Sequence, residues 1–165
     1  AWLDHAAAAF LTVTPGAQDA PLLDPEWPGY NFDTLWGLTY TIDLARPPGA
    51  GRVGEVMLDG APLADDAAVI VATNSYRAMG GGGFPGAVPG AVVHAADLTI
   101  RDAIAAHLAR IGRFAPRDLR AWRFAPMPGT SVVVETGPGV RAHLGPGDAE
   151  VGVSDAGFVR IRRAL

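Results

Sequence analysis

The sequence predicts an α+β domain in which mixed, mainly antiparallel strands carry two principal helices. Three observations lead there. Short runs rich in β-branched and aromatic residues recur along the chain with turn residues between them. The 165 residues include 21 glycines and 14 prolines, which leaves room for few long helices. Only residues 1–13 and 96–112 repeat their apolar positions with a helical period.

Taken in order, "AWLDHAAAAFLTV" reads as the first helix, with Trp2, Ala6 and Phe10, or Leu3, Ala7 and Phe10, on one face. No Ser, Thr, Asp or Asn stands before it as an N-cap, so the chain is expected to begin inside a helix and to be part of something longer. Residues 14–29 hold four prolines and read as a loop. Leu35 to Leu44 alternates and is rich in β-formers, which predicts a strand. "RVGEVMLDGAPL" predicts a hairpin turning at Asp59-Gly60. The continuous apolar run Ala67 to Thr73 predicts a strand buried on both faces.

The second helix is the stronger of the two. Ile100, Ile104, Leu108 and Ile111 form one stripe, Thr99 and Asp102 have capping-box spacing, and Gly112 can end the helix. "SVVVET", "VRAHL" and "FVRIRR" then predict strands joined by Gly-Pro turns, and Trp122 reads as a core residue with its indole N–H satisfied by backbone. One domain accounts for a chain of this length.

Composition excludes several functions. The formal charge is −4, and all 13 basic residues are Arg with no basic patch, so a nucleic acid polymer is not an expected partner. There is no Cys, hence no disulfide or thiolate metal site. No apolar run approaches the roughly 18 residues of a membrane span. His5, His94, His107 and His143 are scattered without HxH, DxH or HExxH spacing, and each reads as structural, His107 bordering the buried face of its helix. Asp65-Asp66 and Asp102 read as solvated or capping acids, and no GxSxG elbow is present. No catalytic residue and no metal site is expected in this chain.

The exception is "NSYRAMGGGGFPG", Asn74 to Gly86. Glycine loses more backbone entropy on folding than any other residue, so four in a row, Gly80 to Gly83, need a reason. A phosphate loop is not that reason. There is no GK[ST] ending, and "FPGAVPGA" cannot open a helix. A surface loop without a role is one alternative. The other is a ligand surface, since an aromatic ring at Tyr76 beside backbone lacking Cβ atoms lets a flat ligand lie close.

"YNFDTLWGLTYTIDL", "RVGEVMLDGAPLADDAAVIVATNSYRAMGGGGFPG" and "AWRFAPM" together resemble the C-terminal domain of bacterial periplasmic 2',3'-cyclic-nucleotide 2'-phosphodiesterase/3'-nucleotidases, within the wider 5'-nucleotidase family. The resemblance runs from the first helix to "DAGFVRIR". It implies a division of labour. An N-terminal metallophosphatase domain, absent from this chain, holds two divalent metal ions and hydrolyses the ester. The C-terminal domain binds the nucleoside, with the base between two aromatic rings. Tyr76 stands at the position of one ring, and the other lies upstream of this chain. Substrate contacts are thereby expected from Tyr76, Asn74, Arg77, Gly80, Gly81, Gly82, Gly83 and Phe84. Arg77 either reaches the ligand or pairs with an acid to hold the loop, and Asn74 either contacts ligand or caps a turn. The 5'-nucleotidase branch has Asp where this chain has Gly82, and that carboxylate grips the ribose hydroxyls there. Its loss favours a 3'-nucleotide or 2',3'-cyclic nucleotide over a 5'-nucleotide. The aromatics of "YNFD", Tyr30 to Asp33, are expected to pack the sheet against the first helix. The resemblance also implies a periplasmic location and a domain partner in the same polypeptide. A nucleoside-binding module without hydrolysis and a 5'-nucleotidase or UDP-sugar hydrolase domain are the competing readings.

Overall fold

The computed structural model describes residues 1–115 and 120–165. These fall into two compact units, one of Ala1, Leu3–Leu63 and Ala121–Leu165, the other of Trp2 and Ala64–Arg120.

Among the described residues, all the strands lie in the first unit. Two four-stranded sheets are present, in the orders β1-β6-β8-β7 and β4-β3-β2-β5. Their strands are β1 (Ala20–Pro21), β2 (Leu38–Ile42), β3 (Val53–Leu58), β4 (Ala61–Pro62), β5 (Trp122–Phe124), β6 (Ser131–Thr136), β7 (Asp148–Val153) and β8 (Val159–Ala164). β1 with β6 and β2 with β5 are parallel, and the other four pairings are antiparallel. The expected α+β class with mainly antiparallel strands is what forms. The β3–β4 hairpin turns where the sequence says, because Asp59 and Gly60 both take left-handed backbone (φ 50° and 81°), as a two-residue hairpin turn requires. β2 and β3 slip register between Thr39 and Thr41, and Glu55, opposite the slip, has φ 49°, the mark of a bulge.

The first helix is shorter than its pattern. α1 spans Trp2–Ala6 and tightens into a 3₁₀ turn over Ala7–Ala9, with no side-chain cap at Ala1. Leu3, Ala7, Phe10, Val13, Tyr40, Ile42, Leu44 and Val132 make the core. A ring cluster adjoins it, with Phe10 5.1 Å from Phe32 and Trp122 5.5 Å from Phe32 and 5.2 Å from Phe124. So Phe32 of "YNFD" packs as expected, whereas Tyr30 is exposed, because the 3₁₀ turn Gly29–Asn31 puts the two rings on different sides. Burial raises the Tyr40 hydroxyl to about 12, since the phenolate would lose its water.

One strand expectation fails in this unit. "VRAHL" is not a strand, since Pro138 starts a 3₁₀ segment, Pro138–His143. The sheet takes instead the polar, Gly-containing β7, which pairs with β8.

At the edge of that sheet Arg162 donates through Nε and Nη2 to the two carboxylate oxygens of Asp19, and Ser131 Oγ accepts the Asp19 N–H at 2.9 Å. The Arg162 hydrogen bonds hold the Asp19 carboxyl below its ordinary 3.8. A carboxyl lowered in the folded state contributes stability above its unfolded pKa and loses it as acid protonates the folded form. The stability gap between the parent and Asp19→Asn is therefore expected to close as pH falls below 3.8. Urea midpoints at neutral pH and at successively lower pH values measure it, and a gap that stays constant refutes the coupling.

In the second unit the helices are α2 (Ser75–Ala78) and α3 (Ile100–Ile111). α3 forms as its caps dictate. The Asp102 N–H donates to Thr99 Oγ1 at 3.1 Å, that hydroxyl donates to Asp102 Oδ2 at 2.7 Å, and Gly112 has φ 72°. Its apolar stripe is not covered by the described residues, and Ile104 is 55% exposed. His107 borders no buried face. It is exposed, with Nδ1 3.1 Å from Arg110 Nη2. Local capping builds this helix, and burial does not.

Ala67–Thr73 is likewise no buried strand. It forms no strand and has no ladder partner among the described residues, and Ile70 is 85% exposed. An apolar run signals a preference for burial, but a strand exists only where a neighbour supplies hydrogen bonds.

Candidate functional site

The second unit brings the residues from Asn74 to Ala87 into one local structure. Asn74 takes extended backbone (φ −83°, ψ 164°), and its Oδ1 accepts the Arg77 N–H at 2.8 Å, so it is the N-cap of α2. A four-residue helix fixes the offset between Tyr76 and Arg77, which are successive and point differently: Tyr76 is 58% exposed and Arg77 only 5%. Met79 beside them is exposed too.

The glycines then turn the chain. Gly80 ends the helix in left-handed backbone (φ 95°) and donates its N–H to the Arg77 carbonyl at 3.0 Å. Gly82 and Gly83 also have positive φ (80° and 70°), and the Gly83 N–H donates to the Gly80 carbonyl at 3.1 Å. Gly81 serves another purpose. A Cβ placed there would lie 2.5 Å from the Tyr76 carbonyl oxygen and 2.6 Å from both Cδ1 and Cε1 of the Tyr76 ring. The bare backbone at Gly81 thus fits against the tyrosine itself.

Phe84 is buried and leads into a turn. Pro85 and Gly86 occupy its centre, Gly86 has φ 77°, and the Ala87 N–H donates to the Phe84 carbonyl at 3.1 Å, as a type II turn requires. The Arg77 guanidinium lies between these pieces. Its carbon is 4.4 Å from the Phe84 ring centroid and 5.4 Å from that of Tyr76, and Nη1 donates to the Gly81 carbonyl at 3.1 Å.

The eight sequence-predicted site residues are therefore neighbours in one turn, but they present different groups. Tyr76 offers an exposed ring. Gly80 to Gly83 offer backbone. Asn74 is occupied in capping, Phe84 is buried, and Arg77 spans the turn from within. Such a site can hold a flat ring by stacking and its polar edge by backbone hydrogen bonds. It carries no nucleophile and no acid–base pair.

Sequence reasoning missed the tyrosine-facing role of Gly81. The five-residue spacing from Tyr76 was the available signal, but only the α2 geometry turns it into proximity. Metal chemistry does not fit these side chains: among the described residues no group of three or more His, Asp or Glu could hold an ion. Among those residues, too, no helix is long and apolar enough to cross a membrane.

Residues 2–88 match the model of the 5'-nucleotidase C-terminal domain family. The trifunctional nucleotide phosphoesterase protein YfkN of Bacillus subtilis is 29% identical over 147 residues, covering 82% of this chain and 10% of that protein. The 2',3'-cyclic-nucleotide 2'-phosphodiesterase/3'-nucleotidases of Haemophilus influenzae and Salmonella typhimurium are 31% and 30% identical over 162 residues. Each alignment covers 86% of this chain, with 24% and 25% of those proteins. No solved structure matches. The chain spans a quarter or less of the curated relatives it resembles, and it belongs to the 5'-nucleotidase C-terminal domain family.

Proposed function

We propose that this chain is the nucleoside-binding domain of a longer hydrolase that acts on 2',3'-cyclic nucleotides and 3'-nucleotides in nucleotide catabolism. The observation that carries the reading is Tyr76, a ring 58% exposed on a turn whose other aromatic, Phe84, is buried. A large aromatic left in water beside capped, well-bonded backbone favours a stacking partner. Stacking on such a ring contributes about 1–3 kcal/mol per base. The exposed backbone of Gly80 and Gly83 and the half-buried backbone of Gly82 then border the sugar. Gly82 has no side chain with which to grip a ribose diol, which favours substrates whose 2' or 3' oxygen bears phosphate. The names of the Haemophilus and Salmonella relatives agree with that preference.

Hydrolysis itself belongs, on this reading, to an N-terminal metallophosphatase domain of the same polypeptide with two divalent metal ions, acting in the periplasm. The contribution of this chain is to bind and orient the base so that the phosphate reaches that domain.

The test is kinetic. Tyr76→Ala in the full-length protein is expected to raise KM for 3'-AMP about 5- to 150-fold, the equivalent of about 1–3 kcal/mol. The turnover number should change much less, because stacking is present in both ground and transition states. Hydrolysis of 3'-AMP and 2',3'-cyclic AMP should exceed that of 5'-AMP. The chain alone should hydrolyse none of them, with or without added Mn²⁺. An unchanged KM in Tyr76→Ala overturns the stacking role, and a preference for 5'-AMP overturns the substrate class. Binding of adenosine by the full-length protein without any hydrolysis would point instead to a non-catalytic module.

A further inference from the structure

We infer that Arg77 is a positioning residue that sets the Tyr76 platform from beneath and does not itself hold the ligand; the inference rests on the stacking role proposed for Tyr76. Three observations carry it. Arg77 is 5% exposed although it follows an exposed tyrosine in the same helix turn. Its guanidinium faces the Phe84 ring at 4.4 Å and the Tyr76 ring at 5.4 Å, so one cation bridges the buried and the exposed aromatic. And Nη1 donates to the carbonyl of Gly81, the residue whose backbone leaves no room for a Cβ against the Tyr76 ring.

Those contacts form a closed circuit. Asn74 starts α2, α2 places Arg77 inward, and Arg77 fixes Gly81. Gly81 in turn abuts the Cδ1–Cε1 side of Tyr76, two residues after Asn74. A run of four glycines has no side chains to define its own path, so its path must come from outside the run. Arg77 supplies it with a planar fork that can donate to a carbonyl while its face stays on a ring, which a lysine ammonium cannot do. A tyrosine held in this way loses little freedom on binding, and preorganisation of that kind improves affinity without adding a contact.

A double-mutant cycle in the full-length protein separates positioning from ligand contact. Arg77→Met should raise KM for 3'-AMP about 3- to 10-fold with kcat little changed, as expected for coupled neighbours. In a Tyr76→Ala background the same change should add less than about 2-fold, since there is no longer a ring to position. Arg77→Lys, which keeps the charge but not the fork, should behave like Arg77→Met at smaller amplitude, and it decides the matter if Arg77→Met does not fold. Multiplicative losses in the double variant overturn the inference, because they mean that Arg77 touches substrate independently. So does an Arg77→Lys protein with parental KM, which would make the charge sufficient and the fork irrelevant. If Tyr76→Ala alone leaves KM unchanged, the stacking reading fails first and the positioning role falls with it. If Tyr76→Ala raises KM and the Arg77 variants do not, only the positioning role is lost.

Discussion

Arg52→Met is expected to destabilise the strand-bearing unit by about 3–5 kcal/mol, enough to remove much of the stability of an ordinary small domain. Arg52 is 1% exposed, the largest of the fully buried side chains among the described residues. Nη1 donates to the carbonyls of Ala7 at 2.9 Å and Phe10 at 2.6 Å, Nε donates to the Arg46 carbonyl at 3.0 Å, and Nη2 donates to that same carbonyl. Its own N–H donates to Asp4 Oδ1 at 2.7 Å. Burial pulls the guanidinium below its ordinary pKa, while Asp4 and Asp43 act in the opposite sense.

The acceptors explain why the expected loss is large. The carbonyl of Phe10 lies past the end of the first helical segment and has no onward helix to bond it, whereas that of Ala7 accepts the Phe10 N–H at 3.1 Å as well as the arginine. A hydrophobic replacement fills the volume but takes the arginine donors from the Phe10 and Arg46 carbonyls and one of the two donors from that of Ala7, at about 1–3 kcal/mol for each oxygen left unpaired. Replacing both partners of a buried charge pair by apolar groups can be neutral, but a backbone carbonyl cannot be replaced in that way. Arg52→Lys should recover part of the loss, since one ammonium reaches fewer carbonyls than a fork. Urea unfolding followed by tryptophan fluorescence measures all three proteins. A Met variant within about 1 kcal/mol of the parent would show that water satisfies those carbonyls.

Arg52 also marks where sequence reading stops. It lies at the head of "RVGEV", and an arginine before a strand is ordinarily solvated. Its burial follows from the meeting of the first helix and the hairpin, segments more than 40 residues apart. Features encoded locally were legible. Asp59-Gly60 makes the hairpin, and Thr99, Asp102 and Gly112 bound α3, because each needs only its neighbours in sequence. Ala67–Thr73 shows the opposite. Its composition prefers burial, but pairing is decided by a second segment, and none is paired with it among the described residues. β7 was hidden for a related reason: "DAEVGV" has too little apolar alternation to predict a strand, and β8 recruits it as a partner. At the site, the resemblance located the stretch, but only the folded turn sorts its residues into an exposed ring, a buried cation and a glycine that makes room for the ring.

That last distinction gives the second large effect. Gly81→Ala is expected to destabilise the turn by about 1–3 kcal/mol, the ordinary cost of forcing atoms into an occupied place, and, if Tyr76 stacks on the base as proposed, to raise KM for 3'-AMP as much as Tyr76→Ala does. Positive φ is not the cause, since Gly81, unlike Gly80, Gly82 and Gly83, does not have it. Contact is the cause. The new Cβ would stand 2.6 Å from two ring atoms of Tyr76 and 2.5 Å from its carbonyl oxygen. Rotating the ring away relieves the first clash and destroys the platform. The second clash involves backbone and persists whatever rotamer Tyr76 takes. For this reason Gly81→Ala combined with Tyr76→Ala should recover only part of the lost stability, although no ring remains to collide with. Gly90→Ala is the control, for a Cβ there meets nothing within 4 Å and its φ is not left-handed, so replacing glycine by alanine should be neutral or slightly stabilising. Thermal unfolding and KM measured on the four proteins separate these effects. A Gly81→Ala protein with the melting temperature and KM of Gly90→Ala would mean that the tyrosine does not rest on Gly81, and that the glycine run serves the turn alone.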